Sequence, residues 1–407
     1  MSANAAHRRL TKTPAVTLLA AAISAACLTL PATATAASLQ KASAENDKAD
    51  SQSASTLLEN ARALTAKSKA SSADQTSADE APAAAPNDLP RGQFHIPDEG
   101  DVVGKHYTVT VKDQEQTLVD IARQHNIGYE EMRMANPGVS LWVPGEGTEV
   151  NLPSRYILPD VKREGIVINL SELRLYYYPA DKPNIVETYP VSVGRDEFAT
   201  PVGVTKTTVK VKDPAWAPPA SMRREAAERG DPAPKVVPAG PDNPLGRHAI
   251  LLGLPSYLIH GTNRPEGVGM RVSRGCIRMY PEDIESLYKR LPGSTRVNII
   301  DAPFKAGLDS DGSLLVQSFP QLEENSGDFE PLLNALEIIE AKTGEQGVEV
   351  DYKRVKQAIE EPNGSILALS GPQAEASREG DENRNTATLL KNLQLKSQPA
   401  DKDDDGE

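Results

Sequence analysis

The chain is 407 residues long, carries a net charge of −13 and is only 4 % aromatic. An acidic chain of this kind argues against nucleic acid as a partner, because binders of that polyanion present basic faces. Its length is enough for two or three domains.

Residues 1–37 read as a secretory leader. His7, Arg8, Arg9 and Lys12 form a basic start, and Ala15 to Leu30 is an apolar run too short and too rich in Ala for a membrane span. Pro31 breaks the run, and Ala34-Thr35-Ala36 offers small residues for cleavage. Two variants compete with ordinary cleavage. The residues after Arg8-Arg9 fit a twin-arginine signal poorly. A lipid anchor at Cys27 would usually require Leu where Ser24 stands. The leader predicts a mature protein outside the cytoplasm, and no later segment is apolar enough to cross a membrane.

Residues 38–95 are rich in Ala, Ser, Asp and Lys and nearly lack large apolar side chains. Such a segment buries too little surface to offset its ordering entropy, so a disordered spacer is expected. A flexible chain of that length reaches roughly 40 Å.

Residues 104–154 form a small βααβ pattern. Tyr107 to Val111 alternates as a strand, and Thr117 to Arg123 places Leu118, Ile121 and Ala122 on one helical face. Tyr129 to Ala135 is a second short helix closed by Asn136-Pro137-Gly138, and Glu149 to Pro153 is a second strand. On Tyr107-Thr108-Val109, Thr117-Leu118, Ile121-Ala122, Asn136 and Val150-Asn151-Leu152-Pro153 the segment resembles a lysin motif, a module for the glycan of peptidoglycan. Glu115-Gln116 stands where that family usually has Gly-Asp, so glycan binding and a merely structural role both stay open.

Residues 164–302 are dominated by strands: a hairpin over Ile166–Leu170 and Leu173–Tyr178, then Ile185–Val193, Val202–Val211, Ala249–Leu252, Tyr257–His260 and Arg296–Ile300. Gly and Pro separate them, as in sandwiches and barrels. One helix opens at Pro281-Glu282-Asp283, with Ile284, Leu287, Tyr288 and Leu291 on one face. Asp213 to Pro244 is a long Pro-rich loop with a short helix near Met222 to Arg229, the kind of loop that often forms a lid or a binding wall. Residues 303–373 predict a small helical subdomain, with helices over Phe329–Lys342 and Val350–Glu361. Residues 374–407 predict a disordered acidic tail.

With Cys27 in the leader, the mature chain holds one thiol, Cys276. It is either a buried apolar side chain or a reactive group. It lies in Ser273-Arg274-Gly275-Cys276-Ile277-Arg278, and His260 lies upstream in Ile259-His260-Gly261-Thr262-Asn263. His260 would end a strand and Cys276 would stand just before the Pro281 helix, so the two side chains can meet. An imidazole that takes the thiol proton leaves an ion pair containing the nucleophile. Gly275 lets backbone approach the substrate, and N–H groups at Gly275 and Cys276 can stabilise an oxyanion. Ser273 can orient the loop or the ring. Arg274, Arg278 and Asn263 are candidate substrate contacts, the arginines for a carboxylate. One Cys and one His lack further ligands at metal-site spacing, and no phosphate-binding loop occurs, so no metal or cofactor is implied.

These two motifs strongly resemble the catalytic motif of bacterial cell-wall L,D-transpeptidases. The resemblance extends over Arg163–Leu170, Leu173–Tyr178, Thr200–Gly203 and Val237–Gly246. It is greatest with the Gram-negative periplasmic branch, which attaches an outer-membrane lipoprotein to peptidoglycan or makes 3→3 cross-links. It implies a mainly β, sandwich-like catalytic domain with the lysin-motif module and a short helical C-terminal appendage. It implies peptidoglycan stem peptides and glycan as partners, and a thioacyl intermediate on Cys276. The acceptor is a lipoprotein Lys, a second stem peptide or water. Water would make the protein an L,D-carboxypeptidase, and a non-catalytic wall-binding protein is the third reading. Many relatives carry His where this chain has Arg274.

Overall fold

A computed structural model of the chain describes residues 89–321, 330–344 and 349–377, all within one unit. The expected leader, residues 38–88 of the expected spacer and residues 378–407 of the expected tail lie outside the described residues.

The first strand is short. β1 (Gln93–His95) pairs antiparallel with β8 (Ile185–Pro190), and Phe94 meets the Tyr156 ring edge-on at 5.9 Å. β1 thus lies within the stretch expected as spacer. Three residues are too few for alternation to show in the sequence.

β2 (Val102–Gly104) pairs with β5 (Arg155–Ile157), and the βααβ module lies between them. It comprises β3 (Tyr107–Thr110), α1 (Leu118–Gln124), α2 (Tyr129–Ala135) and β4 (Glu149–Leu152), with Tyr107 opposite Leu152. α1 starts where Thr117 and Asp120 cap each other: the Asp120 N–H donates to Thr117 Oγ1 at 3.0 Å and the Thr117 N–H to Asp120 Oδ2 at 3.1 Å. Leu118, Ile121, Ala122, Ile127, Met132, Val150 and Leu152 fill its core. Asn136 joins α2 to β4, donating to Asn151 O at 2.9 Å and accepting from the Asn151 N–H at 2.7 Å.

The strand-rich region follows as β6 (Gly165–Asn169), β7 (Arg174–Tyr178), β8, β9 (Val193–Gly194), β10 (Gly203–Lys212), α3 (Ala220–Glu228), β11 (His248–Leu252), β12 (Leu258–His260), β13 (Arg271–Ser273), β14 (Ile277–Arg278), α4 (Pro281–Arg290) and β15 (Arg296–Ile300). Nine of the strands so far form one sheet in the order β1-β8-β7-β6-β15-β10-β11-β12-β14. Pairing is antiparallel except at β6/β15 and β12/β14. β6 shows why both of its faces are apolar. Ile166 and Ile168 enter one core, whereas Val167 enters a second core with Tyr156, Tyr176 and Val186. Leu175 of β7 and Ile277 of β14 lie near opposite ends of the sheet yet share the first core. The sheet is therefore curled over itself into a sandwich-like form. α4 closes it with Ile284 and Leu287, and Lys210 Nζ caps the helix end at Tyr288 O (2.7 Å) and Leu291 O (2.9 Å).

The C-terminal subdomain differs from a purely helical appendage. α5 (Glu330–Thr343) and α6 (Tyr352–Glu360) lie where the helical spacing predicts them. They pack on a three-stranded antiparallel sheet of β16 (Phe304–Leu308), β17 (Leu314–Ser318) and β18 (Ile366–Ser370). Lys305 and Gln317 mask the alternation, because both are polar and both are buried. Lys305 Nζ reaches back to Glu172 Oε1 (2.6 Å) and Ile157 O (2.7 Å), which ties the subdomain to the main sheet. Among the described residues, no helix is long and apolar enough to cross a membrane.

Candidate active site

Strand register brings the two motifs together. β12 and β14 run parallel, with Ile259 opposite Ile277 and His260 opposite Arg278. Ile259 and Ile277 point into the core, so by alternation His260, Cys276 and Arg278 share the other face. The connection between these strands, residues 261–276, contains a 3-10 turn (Pro265–Gly267) and β13, which pairs with β9. Strands of two and three residues carry no periodicity, so neither β13 nor β14 is legible in the sequence.

The nucleophile loop is tightly bonded. Ser273 Oγ accepts from the Gly275 N–H at 3.1 Å and donates to Cys276 O at 2.6 Å. Thr200 Oγ1 donates to Gly275 O at 2.9 Å and accepts from the Gly194 N–H at 3.0 Å. Gly275 has φ +99°, and a Cβ there would lie 2.7 Å from Tyr257 Cε1. Both the backbone and the space therefore demand glycine. Thr200 and Tyr257 escape sequence reasoning because their contacts with Gly275 join segments that are distant in the chain.

Cys276 is half-buried, and its Sγ donates to Ser256 O at 3.5 Å. Burial pushes its thiol pKa up, opposed by the Leu258 backbone N–H and the Arg278 charge. His260 is buried, and its Nδ1 lies 2.6 Å from Gly261 O. A carbonyl only accepts, so Nδ1 carries the proton and Nε2 keeps its lone pair. Burial first, and the Arg278 charge second, lower the His260 pKa to about 4, against the opposing bond to Gly261. The sequence predicts a thiolate–imidazolium pair. Burial of both groups and the Arg278 charge near the ring instead favour a thiol and a neutral imidazole.

The three remaining candidates separate. Arg278 stays on the face of Cys276 and His260. Its backbone is tied to Ser192, its Nε is buried without a hydrogen-bond partner, and its charged neighbours include Arg264 and Glu266. Arg274 turns away to α3. It donates to Ser221 Oγ at 3.2 Å, pairs with the Glu225 carboxylate and stacks 4.2 Å over the Phe198 ring. Asn263 is exposed and donates to Asp242 O at 3.1 Å. Arg274 and Asn263 thus both hold the long loop between β10 and β11. Buried Asn243 organises that loop from within, donating to Pro214 O (2.8 Å) and Pro238 O (3.0 Å) and accepting from the Leu245 N–H (2.9 Å). Among the described residues, no group of three or more His, Cys, Asp or Glu could hold a metal ion.

Residues 163–299 match the family model of the YkuD L,D-transpeptidase catalytic domain. The chain is 40 % identical over 287 residues to the probable L,D-transpeptidase ErfK/SrfK of Escherichia coli K12, covering 68 % of this chain and 90 % of that protein. It is 38 % identical over 284 residues to the probable L,D-transpeptidase YbiS of the same organism, covering 68 % and 92 %. A solved structure of an L,D-transpeptidase from Mycobacterium smegmatis aligns with 38 % of this chain and 63 % of its own, at 14 % identity and a TM-score of 0.27. The likeness to the E. coli proteins defines a class, enzymes that act on peptidoglycan. The chain belongs to the L,D-transpeptidase family and is an enzyme of that kind.

Proposed function

We propose that Cys276 is the nucleophile and His260 the general base of a transpeptidation on peptidoglycan stem tetrapeptides. The observation that carries this reading is the shared face of His260, at the end of β12, and Cys276, just before its partner strand β14, with the His260 Nδ1 proton held by Gly261 O and Nε2 left basic. Rotation about the Cys276 Cα–Cβ bond swings Sγ from Ser256 O towards the ring. As sulfur attacks the carbonyl of the third stem residue, the thiol proton passes to Nε2. The carbon–nitrogen bond to the terminal D-Ala then breaks, and Nε2 returns the proton to the departing amine. A thioester remains. An acceptor amine attacks it, gives a proton to Nε2, and Cys276 leaves and is reprotonated. A positioned base of this kind contributes about 10²–10⁴-fold.

The Gly275 N–H is already bonded to Ser273 Oγ, so we assign the oxyanion to the N–H of Cys276 itself. Arg278, with its buried unpartnered Nε, takes a substrate carboxylate. The acceptor is an amine, from a lipoprotein Lys or a second stem. The basic start and apolar run of residues 1–37 support export to the periplasm. The lysin-motif likeness of residues 104–154 supports contact with the glycan.

The test is incubation with muropeptide tetrapeptides and an amine acceptor, read by mass spectrometry. D-Ala release with dimers or amine adducts is expected, along with a thioester mass on Cys276, and Cys276→Ala should abolish both. Tripeptide products alone would assign the acceptor to water. Undiminished turnover in Cys276→Ala would end the reading.

A further inference from the structure

We propose that the βααβ module is a working part of the catalytic loop, with α2 holding the connection between His260 and Cys276 in place. This rests on Cys276 being the nucleophile. The middle of that connection is suspended from its neighbours by a row of backbone carbonyls. Gly267 O accepts from Ser192 Oγ at 2.8 Å, and Met270 O from the Val193 N–H at 3.3 Å. The two carbonyls between them are held by the module. Val268 O accepts from the Tyr129 N–H at 2.9 Å, and Gly269 O from the Glu130 N–H at 3.2 Å. Tyr129 and Glu130 open α2, where N–H groups have no partner within the helix. The loop thus completes the helix, and the helix fixes the loop. A few residues on, the Arg195 N–H donates to Ser273 O at 3.1 Å, and Ser273 Oγ in turn holds the Cys276 carbonyl.

Two glycines make the contact a backbone-to-backbone one. A Cβ on Gly269 would lie 2.5 Å from Gly128 Cα, and a Cβ on Gly128 would lie 2.9 Å from Gly269 Cα. Behind this contact stands a buried anchor. Arg174 of β7 gives Glu131 of α2 two hydrogen bonds, at 2.9 and 2.8 Å, and a third to Asn126 O at 2.9 Å. Tyr280, at the start of α4, donates to Ile127 O at 3.0 Å, and Arg123 of α1 grips Glu282 through two bonds of 2.9 Å. A module that served only as a tether would need a flexible linker and a small polar interface. This one instead shares buried charge with β7 and main-chain hydrogen bonds with the segment that joins the reacting groups.

Gly128→Ala in the full-length chain tests the idea. Gly128 has φ −84°, so alanine adopts the backbone without strain, and its methyl group meets Gly269 Cα first, at 2.9 Å, with Pro190 Cβ at 3.2 Å and Glu131 Oε2 at 3.3 Å next, which pushes α2 from the loop. It lies far in sequence from Cys276 and touches neither it nor His260. Three readouts are needed: hydrogen exchange at the Tyr129 and Glu130 amides, kcat and KM for D-Ala release, and the pH profile of Cys276 alkylation by iodoacetamide. The expected result is faster exchange, a kcat lower by about tenfold or more with little change in KM, and an altered alkylation profile, since small displacements of reacting groups cost this much. Gly128→Leu should deepen all three. Amides that exchange freely while kcat and alkylation stay at wild-type values would overturn the proposal. So would amides that stay protected in Gly128→Leu, because the close approach would then not exist. A wild-type protein that releases no D-Ala would sink the proposed function instead, and the alkylation profile would still read the loop.

Discussion

Arg274, two residues before Cys276, hands its guanidinium to Glu225 on α3 rather than to the open face of the site. The pair joins the nucleophile loop to the long loop between β10 and β11, with Phe198 beneath the guanidinium and Ser221 beside it. Arg274 reads in sequence as a carboxylate contact. Here it is a latch, and its partner is a residue that no motif marks.

The latch predicts a charge-swap result. Glu225→Arg should loosen the long loop, raising its proteolytic sensitivity and lowering kcat/KM for the tetrapeptide. Arg274→Glu should do the same, and the double variant should recover a large part of the loss. Arg274 holds the Glu225 carboxyl below its usual pKa, mainly through their hydrogen bond. A group with a depressed folded pKa stabilises above its unfolded value and loses that effect as pH falls, so the loop should loosen in acid. Steady-state kinetics and limited proteolysis across pH decide it. An uncorrected double variant would show that the two side chains act independently.

His260 predicts where the acid limb of activity falls. With a folded pKa of about 4, it stays a neutral base well below the ordinary histidine range. The acid limb of kcat/KM should therefore lie near pH 4 to 5, unless a substrate group titrates first. The sign for stability follows. Between about pH 6.5 and 4 the unfolded chain binds a proton on this residue that the folded chain refuses, so stability falls as pH falls through that window. The difference corresponds to about 3 kcal/mol. Urea unfolding at pH 7 and pH 4.5 should show a smaller pH-dependent loss in His260→Gln than in the wild type. An equal loss in both would place the titration elsewhere.

Cys276 should alkylate as a thiol and not as an ion-paired thiolate. Its raised pKa predicts an iodoacetamide rate that climbs through and above the pKa of free cysteine, with no plateau near neutrality. A neutral-pH plateau that disappears in His260→Ala would restore the ion pair predicted by the sequence.

The glycine before the nucleophile should tolerate no side chain. Gly275→Ala places a methyl 2.7 Å from Tyr257 Cε1 on a backbone at φ +99°. Strain at such a position costs about 1–3 kcal/mol. The protein should still fold, with D-Ala release reduced by two orders of magnitude or more, since Cys276 must move with its loop. Comparing the melting temperature with turnover separates the two effects.

What the sequence makes legible follows physical range. Ile166 and Ile168, Leu118 and Ile121, and Ile284 and Leu287 show their periods directly, and each enters the core its spacing predicts. Cys276 and His260 stand in short distinctive motifs, and one strand register sets those motifs side by side. Arg274 is misleading because a charge near a nucleophile looks free until α3 is in place. β16 and β17 are hidden because Lys305 and Gln317 are polar at buried positions. Their partners lie more than forty residues away and cannot be read locally.

Lys305 gives the last prediction. Its ammonium is buried with the Glu172 carboxylate, which also accepts from Tyr176 Oη at 2.6 Å and from Asn169 Nδ2 at 3.1 Å. Burial lowers the lysine pKa against the pull of Glu172. Removing one member of such a pair strands the other in a dry site, at a cost of about 3–5 kcal/mol, whereas replacing both with apolar groups can be nearly neutral. Lys305→Met should therefore destabilise the protein strongly, and Lys305→Met with Glu172→Leu should regain part of that loss, less the hydrogen bonds of Tyr176 and Asn169. Urea midpoints of the two single variants and the double variant give the coupling energy. Additive losses would mean that the Lys305–Glu172 pair contributes no coupling of its own to holding the C-terminal subdomain.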